Sequence, residues 1–299
     1  MKVGILELRE YQFIQDVARQ LSGKGTEVEF ISLAEQKLPL EARHRVIIDR
    51  LSFQDTYLRQ SMMLASLSGS YVINNPFSST INNKLLHHSI IGSLGVKQPR
   101  TIALPRMSEG WELGDSVKEP DWNALRREIS LPVIMKPYDG FAWEDVYVAT
   151  TLREVENLYN SMKGRHLLLI QEKIEYTDYF RVFCINKSDV LIVKWDPKPG
   201  GLGVYSEPDP QQLEGIAKRI TETTIKLNRA IDIDFNAVEW CIDGEGELCI
   251  IEAMNEVPEV EKKSMPEDMY WWTVEKFCDC VMHKLDSDER NRTIFDTHA

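Results

Sequence analysis

The order of periodicities in the first quarter of the chain limits the fold most. "KVGILEL" (residues 2–8) is a run of strand formers. "YQFIQDVARQL" then places Phe13, Ile14, Val17 and Leu21 at helical spacing, and "SGKG" stops it. "EVEFISL" and "HRVIID" read as strands, "QDTYLRQSMMLASLSGS" as a helix, and "YVINNP" as a closing strand. A β-α-β-β-α-β order with short links implies a mostly parallel open sheet with helices against it. Ligands in such sheets lie at the carboxyl ends of the strands. Arg9, Arg50 and Asn75 stand at three of those ends and are candidate substrate residues. No GxGxxG follows the first strand, which argues against a dinucleotide site.

At 299 residues the chain is long enough for more than one domain. Residues 1–76 form the N-terminal αβ unit. Residues 77–170 form a second unit, with a helix in "INNKLLHHSIIGSLG", an extended "VKQPRTIAL", a helix near "DWNALRREI", and a helix opened by the capping box of Thr151 and Glu154. Residues 171–285 form a third, with strands "YFRVFCIN" and "DVLIVKW", a long helix opened by Asp209-Pro210, a hairpin and a closing helix. Residues 286–299 read as a polar, frayed tail.

Acidic residues outnumber basic ones, 47 to 35, for a net charge of -12. A generic nucleic-acid binder would show a basic face instead. No apolar run reaches transmembrane length, and acidic residues interrupt the N-terminus at once, so neither membrane nor secretion is expected. The five cysteines make no CxxC pair, and three sit in apolar runs. Buried thiols in a reducing cytoplasm are the expectation. Neither they nor the six histidines form a triad or an HExxH pattern.

Four polar features then need explaining together. Lys136 ends the apolar run "LPVIM" and precedes Pro137, which ends a ladder. A strand-end lysine is ordinarily a snorkelling surface charge. Lys84, early in a helix, is ordinarily the same. In "LLLIQEKIEYTDYFRVF" an apolar strand runs into Gln171-Glu172, then Ile174, Asp178 and Arg181. This is either a common strand connection or a hinge whose backbone reads an adenine edge, with Asp178 accepting from ribose. In the hairpin "DFNAVEWCIDGEGELCIIEAMNEVPEV" the turn is Asp243 to Gly246. Pairing Ile242 with Glu247 puts Glu239 opposite Ile250 and diagonal to Glu252, with Ala237, Cys241 and Leu248 on the same face. Two carboxylates there repel unless a cation joins them, and hard oxygen ligands suit Mg²⁺. A solvent-facing hairpin is the plainer alternative. Asn255, a third oxygen donor, stands just beyond.

The order of these features resembles that of the ATP-grasp ligases, over about residues 72 to 260. The nearest branch holds glutathione synthases and ribosomal-protein glutamate ligases, through "INNP…NNK…LGVKQPRT", "KPYDG", "QEKIE" and "YFRVFCIN". The implied fold is α/β: an open parallel-sheet pre-ATP-grasp domain, then a two-lobed ATP-grasp domain. The implied cofactors are ATP and Mg²⁺. Lys84 and Lys136 would hold the phosphates, with Gly140 in the loop that approaches them. Gln171, Glu172 and Ile174 would frame adenine and Asp178 the ribose. Arg181 and Lys194 would face the γ-phosphate and acyl phosphate, and Glu239, Glu252 and Asn255 would hold magnesium.

Two departures from the family pattern stand out. The loop "DGFAWEDV" carries Phe141, Trp143, Glu144 and Asp145 where small residues are usual. Either the aromatics form a lid with the acids outside, or the loop is impaired. The Glu252–Asn255 spacing is three rather than two, so alternation favours Met254 unless a bulge at Ala253–Met254 restores Asn255.

The resemblance implies an ATP-dependent ligase joining a small or peptide carboxylate to an amine through an acyl phosphate, as a possible homodimer. A small-molecule kinase on the same fold and a nucleotide binder without turnover are the alternatives. The substrates are not legible.

Overall fold

The computed structural model describes residues 2–79, 83–107, 116–140, 143–197 and 203–293. Phe141, Ala142 and the tail from residue 294 lie outside the described residues.

Strands β1 (Lys2–Leu6), β2 (Glu27–Phe30), β3 (Val46–Asp49) and β4 (Tyr71–Ile73) form one sheet in the order β2-β1-β3-β4, every pairing parallel. Strand alternation divides its two faces. Val3, Ile5, Val46 and Ile48 meet helix α1 (Gln12–Gly23), whose Phe13, Ile14, Val17 and Leu21 are all buried. Leu6, Ile47 and Val72 meet Met62 and Ala65 of α2 (Thr56–Leu67).

A one-turn helix α3 (Pro76–Ser79) and α4 (Lys84–Ser93) lead to the second sheet. It holds β5 (Thr101–Leu104), β6 (Val133–Pro137), β7 (Tyr147–Ala149) and β8 (Leu168–Glu172), in the order β5-β8-β6-β7 and antiparallel throughout. Its helices are α5 (Trp122–Glu128) and α6 (Leu152–Met162). The Thr151–Glu154 capping box opens α6 as its sequence requires.

The third sheet is antiparallel: β9 (Tyr176–Ile185), β10 (Asp189–Asp196), β11 (Val204–Ser206), β12 (Phe235–Asp243) and β13 (Leu248–Glu252), ordered β11-β10-β9-β12-β13. One face carries Tyr179, Phe183, Trp195 and Phe235 toward α1 and the last helix, α9 (Glu267–Asp286). The other carries Phe180, Val182, Trp240 and Ile250 toward α8 (Ala217–Ile231). Burying one such large side chain contributes about 1.5–3 kcal/mol, so both faces anchor the sheet.

Two expectations are corrected. Asp209-Pro210 opens only a single turn, α7 (Pro210–Leu213), because Gly215 at φ +80 breaks the helix before α8 begins. The tail is not frayed as far as Asn291, which is 4% exposed. Its amide accepts from Val72 N (2.8 Å) and donates to Val72 O (2.9 Å), imitating a strand partner for the edge of β4.

All five cysteines are free and buried. Among the described residues no helix is long and apolar enough to cross a membrane.

Candidate functional site

The second and third sheets face each other across a cavity of about 600 Å³. From β6 and β8 come Ile134, Lys136 and Gln171; from β9, β10, β12 and β13 come Tyr179, Arg181, Trp195, Glu239 and Glu252. Gly140, Trp143 and Val146 line it from the loop between β6 and β7, and Met254 to Val257 and Glu259 from the segment after β13.

Lys136 pairs with Leu169 in the β6–β8 ladder, which fixes the lysine stem against the core. The residue is 9% exposed, and among the described residues its ammonium has no hydrogen bond or ion pair. Burial lowers its pKa, with Lys84 adding to the effect, while Glu252 and Glu239 oppose it from a distance. Lys84 stands at the first position of α4, capped by Asn83. Its Nζ lies 2.7 Å from Glu252 Oε1 and donates to the Gly140 carbonyl at 2.8 Å.

The hairpin differs from the expected register by one residue. Ile242 pairs with Leu248, Cys241 with Cys249 and Trp240 with Ile250, so Leu248 and Ile250 share a face with Trp240, not with Glu239. A bulge at Ile251 then shifts the ladder, and Glu239 pairs directly with Glu252. The carboxylates meet because of that bulge, which lies earlier than the one expected at Ala253–Met254. Each has a cation of its own. Lys84 holds Glu252, and Arg181 Nη2 donates to Glu239 Oε1 at 2.8 Å. Burial opposes ionisation of Glu252, but Lys84 and Lys136 hold its pKa well below the usual carboxylate range.

Arg181 is 6% exposed and lies on the face of Trp195, 3.8 Å from the ring centroid. Its Nη1 donates to the Tyr205 hydroxyl at 2.7 Å, and Tyr179 donates to Glu239 Oε2 at 2.6 Å. Burial and the Glu239 carboxylate push the Tyr179 hydroxyl well above its ordinary pKa; burial pushes Tyr205 up to about 12. Gly203 allows close approach here, since a Cβ would sit 1.7 Å from Trp195 Nε1.

Of the residues singled out from sequence, Lys84, Lys136, Gly140, Gln171, Arg181, Glu239, Glu252 and Asn255 line the cavity. The others are placed elsewhere. Asp178 and Lys194 fall on the opposite face of the third sheet from Arg181, because Arg181 pairs with Val193 and Lys194 with Phe180. They bond each other at 3.0 Å. The backbone N–H of Glu172 donates to Arg100 O at 2.9 Å, and Ile174 packs on the core. Arg9 is exposed over the Phe30 ring. Arg50 is buried against Glu7 and donates to Pro258 O, and Asn75 bonds Asp232, so neither lines this cavity. In the atypical loop, Trp143 lines the cavity while Asp145 lies 3.4 Å from His166, turned away. Sequence reasoning missed Tyr179 and Trp195. Tyr179 was legible, lying two residues from Arg181 on one strand face.

Lys84, Glu252, Arg181 and Glu239 make a charged wall, but the wall suits a metal only in part. Among the described residues no three His, Cys, Asp or Glu side chains assemble as a metal site. Two carboxylates with Asn255 nearby instead fit a hard cation whose remaining ligands arrive with it.

No protein-family model matches the chain, and no curated protein matches it by sequence. Solved structures do match it. D-alanine–D-alanine ligase from Bacillus anthracis, complexed with ATP, superposes at TM-score 0.68 and 16% identity over 95% of this chain and 97% of that one. The ATP-grasp ligase PsnB with minimal precursor, Mg and ADP matches at 0.64 and 14%, covering 96% and 98%. The chain has the ATP-grasp fold. The macrocyclase MdnC from Microcystis aeruginosa, bound with precursor peptide MdnA, matches at 0.65 and 12%, covering 92% and 98%. At these identities the likeness is one of fold. In this fold the cavity opens between the two antiparallel sheets, with Lys136 on one and the paired glutamates on the other.

Proposed function

We propose that the protein is an ATP-dependent carboxylate–amine ligase, forming ADP and phosphate through an acyl phosphate. The observation that supports this best is the ammonium of Lys136: carried by a residue 9% exposed, unpaired among the described residues, and on the wall of a large cavity. Such a charge requires an anion. A nucleotide phosphate supplies one, and the apolar Ile134, Val146 and Met254 suit a purine face. Lys84 lies close enough to share the phosphates if it leaves Glu252. Glu239, Glu252 and Asn255 would hold Mg²⁺, which when bound would neutralise phosphate charge. In this reading the N-terminal parallel sheet is a domain preceding the two lobes of the grasp, one lobe built on each antiparallel sheet.

The chemistry needs no side-chain nucleophile. An acid's carboxylate oxygen attacks the γ-phosphorus, ADP leaves, and an amine displaces phosphate from the acyl carbon. Arg181 stabilises charge on the transferring group, because its planar guanidinium can bridge two oxygens. The acid is small or a peptide segment.

The test is a screen of amino acids, dicarboxylates and short peptides with Mg-ATP, reading ADP, free phosphate and hydroxylamine-trapped hydroxamate. Equal ADP and phosphate, with hydroxamate when amine is omitted, is the expected result. A stable phosphorylated product would replace the ligase with a kinase. Nucleotide binding with no turnover on any acid would leave a binder.

A further inference from the structure

We infer that Glu259 is the recognition point for a primary ammonium group, held at the Arg181 end of the cavity. The inference rests on the ligase reading only in assigning that ammonium to the amine substrate.

Glu259 differs from the other carboxylates around it. Glu239 and Glu252 each have a cation within 2.8 Å. Glu261 points to Lys263 at 2.8 Å. Glu259 lines the cavity, yet among the described residues it makes no ion pair, and its Oε1 is shielded from solvent with no hydrogen-bond partner. Burial and the neighbouring Glu261 raise its pKa, as expected for a carboxylate short of compensation. Two buried donors on the same wall also lack acceptors, Arg181 Nε and Trp195 Nε1, on residues 6% and 7% exposed. Unsatisfied groups of both kinds at one end of a cavity indicate that the missing partners come from a ligand.

The backbone presenting Glu259 is fixed independently of its carboxylate. Asn74 Nδ2 donates to Glu256 O at 2.8 Å, Arg50 Nη2 to Pro258 O at 3.0 Å, and the Tyr205 hydroxyl to Glu259 O at 3.3 Å. Val260 N donates to the Tyr11 hydroxyl at 3.0 Å, which donates back to Val260 O at 3.2 Å. Every anchor reaches the main chain, so the side chain is left for a ligand on a rigid support. Arg181 and Lys263 oppose the upward shift of the Glu259 pKa without reversing it, and Arg181 is already paired with Glu239. Tyr205 touches both Arg181 and the Glu259 carbonyl, so an ammonium on Glu259 lies beside the group proposed to hold the reacting phosphate.

The probe is n-butylammonium, with 1-butanol as its uncharged counterpart. Each is titrated calorimetrically into wild type, Glu259→Gln and Glu261→Gln, with Mg-ATP affinity measured on all three. Loss of a charge-assisted hydrogen bond should weaken butylammonium by about tenfold or more in Glu259→Gln and leave Glu261→Gln unchanged. Wild type should prefer the ammonium to the alcohol, a comparison that needs no variant. Glu259→Gln should melt no lower than wild type, because an uncompensated charge is removed. Equal butylammonium affinity in wild type and Glu259→Gln, equal binding of the alcohol, or no ammonium binding in wild type would each overturn the inference. If Mg-ATP binds and the ammonium does not, this inference alone fails. If Mg-ATP does not bind wild type, the ligase reading fails and the ammonium result still decides the role of Glu259.

Discussion

The chain holds two buried clusters of charge, and they are built differently. One joins the first sheet to α9 and the start of β12. Asp234, fully buried, accepts from the Tyr71 hydroxyl at 2.7 Å and lies 3.3 Å from Lys187 and 3.5 Å from Lys284. Lys187 also meets Asp232, and Lys284 meets Glu289. Here each charge has an opposite charge from another element, and none of these residues lines the cavity. The other cluster is the cavity wall. It pairs Lys84 with Glu252 and Arg181 with Glu239, but leaves the Lys136 ammonium and Glu259 Oε1 without partners among the described residues. Burial of charge is common to both and marks neither as functional. What separates them is incomplete pairing beside a space large enough for a ligand.

Substitutions can break the comparison. The largest effect is expected for Asp234→Ala, which takes the shared carboxylate from buried Lys284 and half-buried Lys187. It should lose about 3–5 kcal/mol in urea unfolding, with nucleotide affinity per folded molecule unchanged. A loss under about 1 kcal/mol would show that the first cluster is not structural.

Arg181→Lys is next. A lysine cannot span both the Tyr205 hydroxyl and Glu239, so turnover should fall about 100-fold while Mg-ATP affinity stays within a few-fold. Equal losses in both would place Arg181 in ground-state binding.

Glu252→Gln should lower stability by about 1–3 kcal/mol, discounted because the side chain is 25% exposed. The sign follows from its depressed pKa. A carboxylate stabilised in the fold contributes above its ordinary range, and that contribution is lost as pH falls through the lowered value. Acid unfolding of the variant should therefore be less steep there. An increase in stability at neutral pH would mean that repulsion from Glu239 outweighs Lys84. Tyr179→Phe removes only the hydrogen bond to Glu239 and should lower the melting midpoint by the equivalent of about 1 kcal/mol. No change would show that Arg181 alone suffices.

Much of this contrast was legible in the sequence, and the rest fails for physical reasons. The parallel sheet followed from local periodicity, since α1 and the strands around it carry apolar stripes that admit one burial. Lys136 followed from the Lys-Pro ending of β6. The glutamate pair was reached through a register one residue out and without the bulge at Ile251, and the two errors cancelled; the bulge expected at Ala253–Met254 concerned Asn255 alone. Alternation counts residues, but a bulge depends on what the far strand packs against. Asp178 and Lys194 were misplaced because family order gives sequence position and not sheet face. Arg50 and Asn75 do lie at strand ends, but those ends meet residues 232 to 258, and contacts so remote in sequence leave no local signal. Glu259 is one acid among several in "NEVPEVEKK", and no local pattern in the sequence marks it.

The central claim is that the Lys136 ammonium faces a nucleotide phosphate. Mg-ATP titrated calorimetrically into wild type and Lys136→Met tests it most directly. Lys136 has a depressed pKa, so its charged form weakens the fold at neutral pH, and methionine should melt at the same temperature or higher. The account predicts Mg-ATP affinity reduced about 100-fold or more in this well-folded variant. Unchanged affinity with an unchanged melting temperature would contradict it.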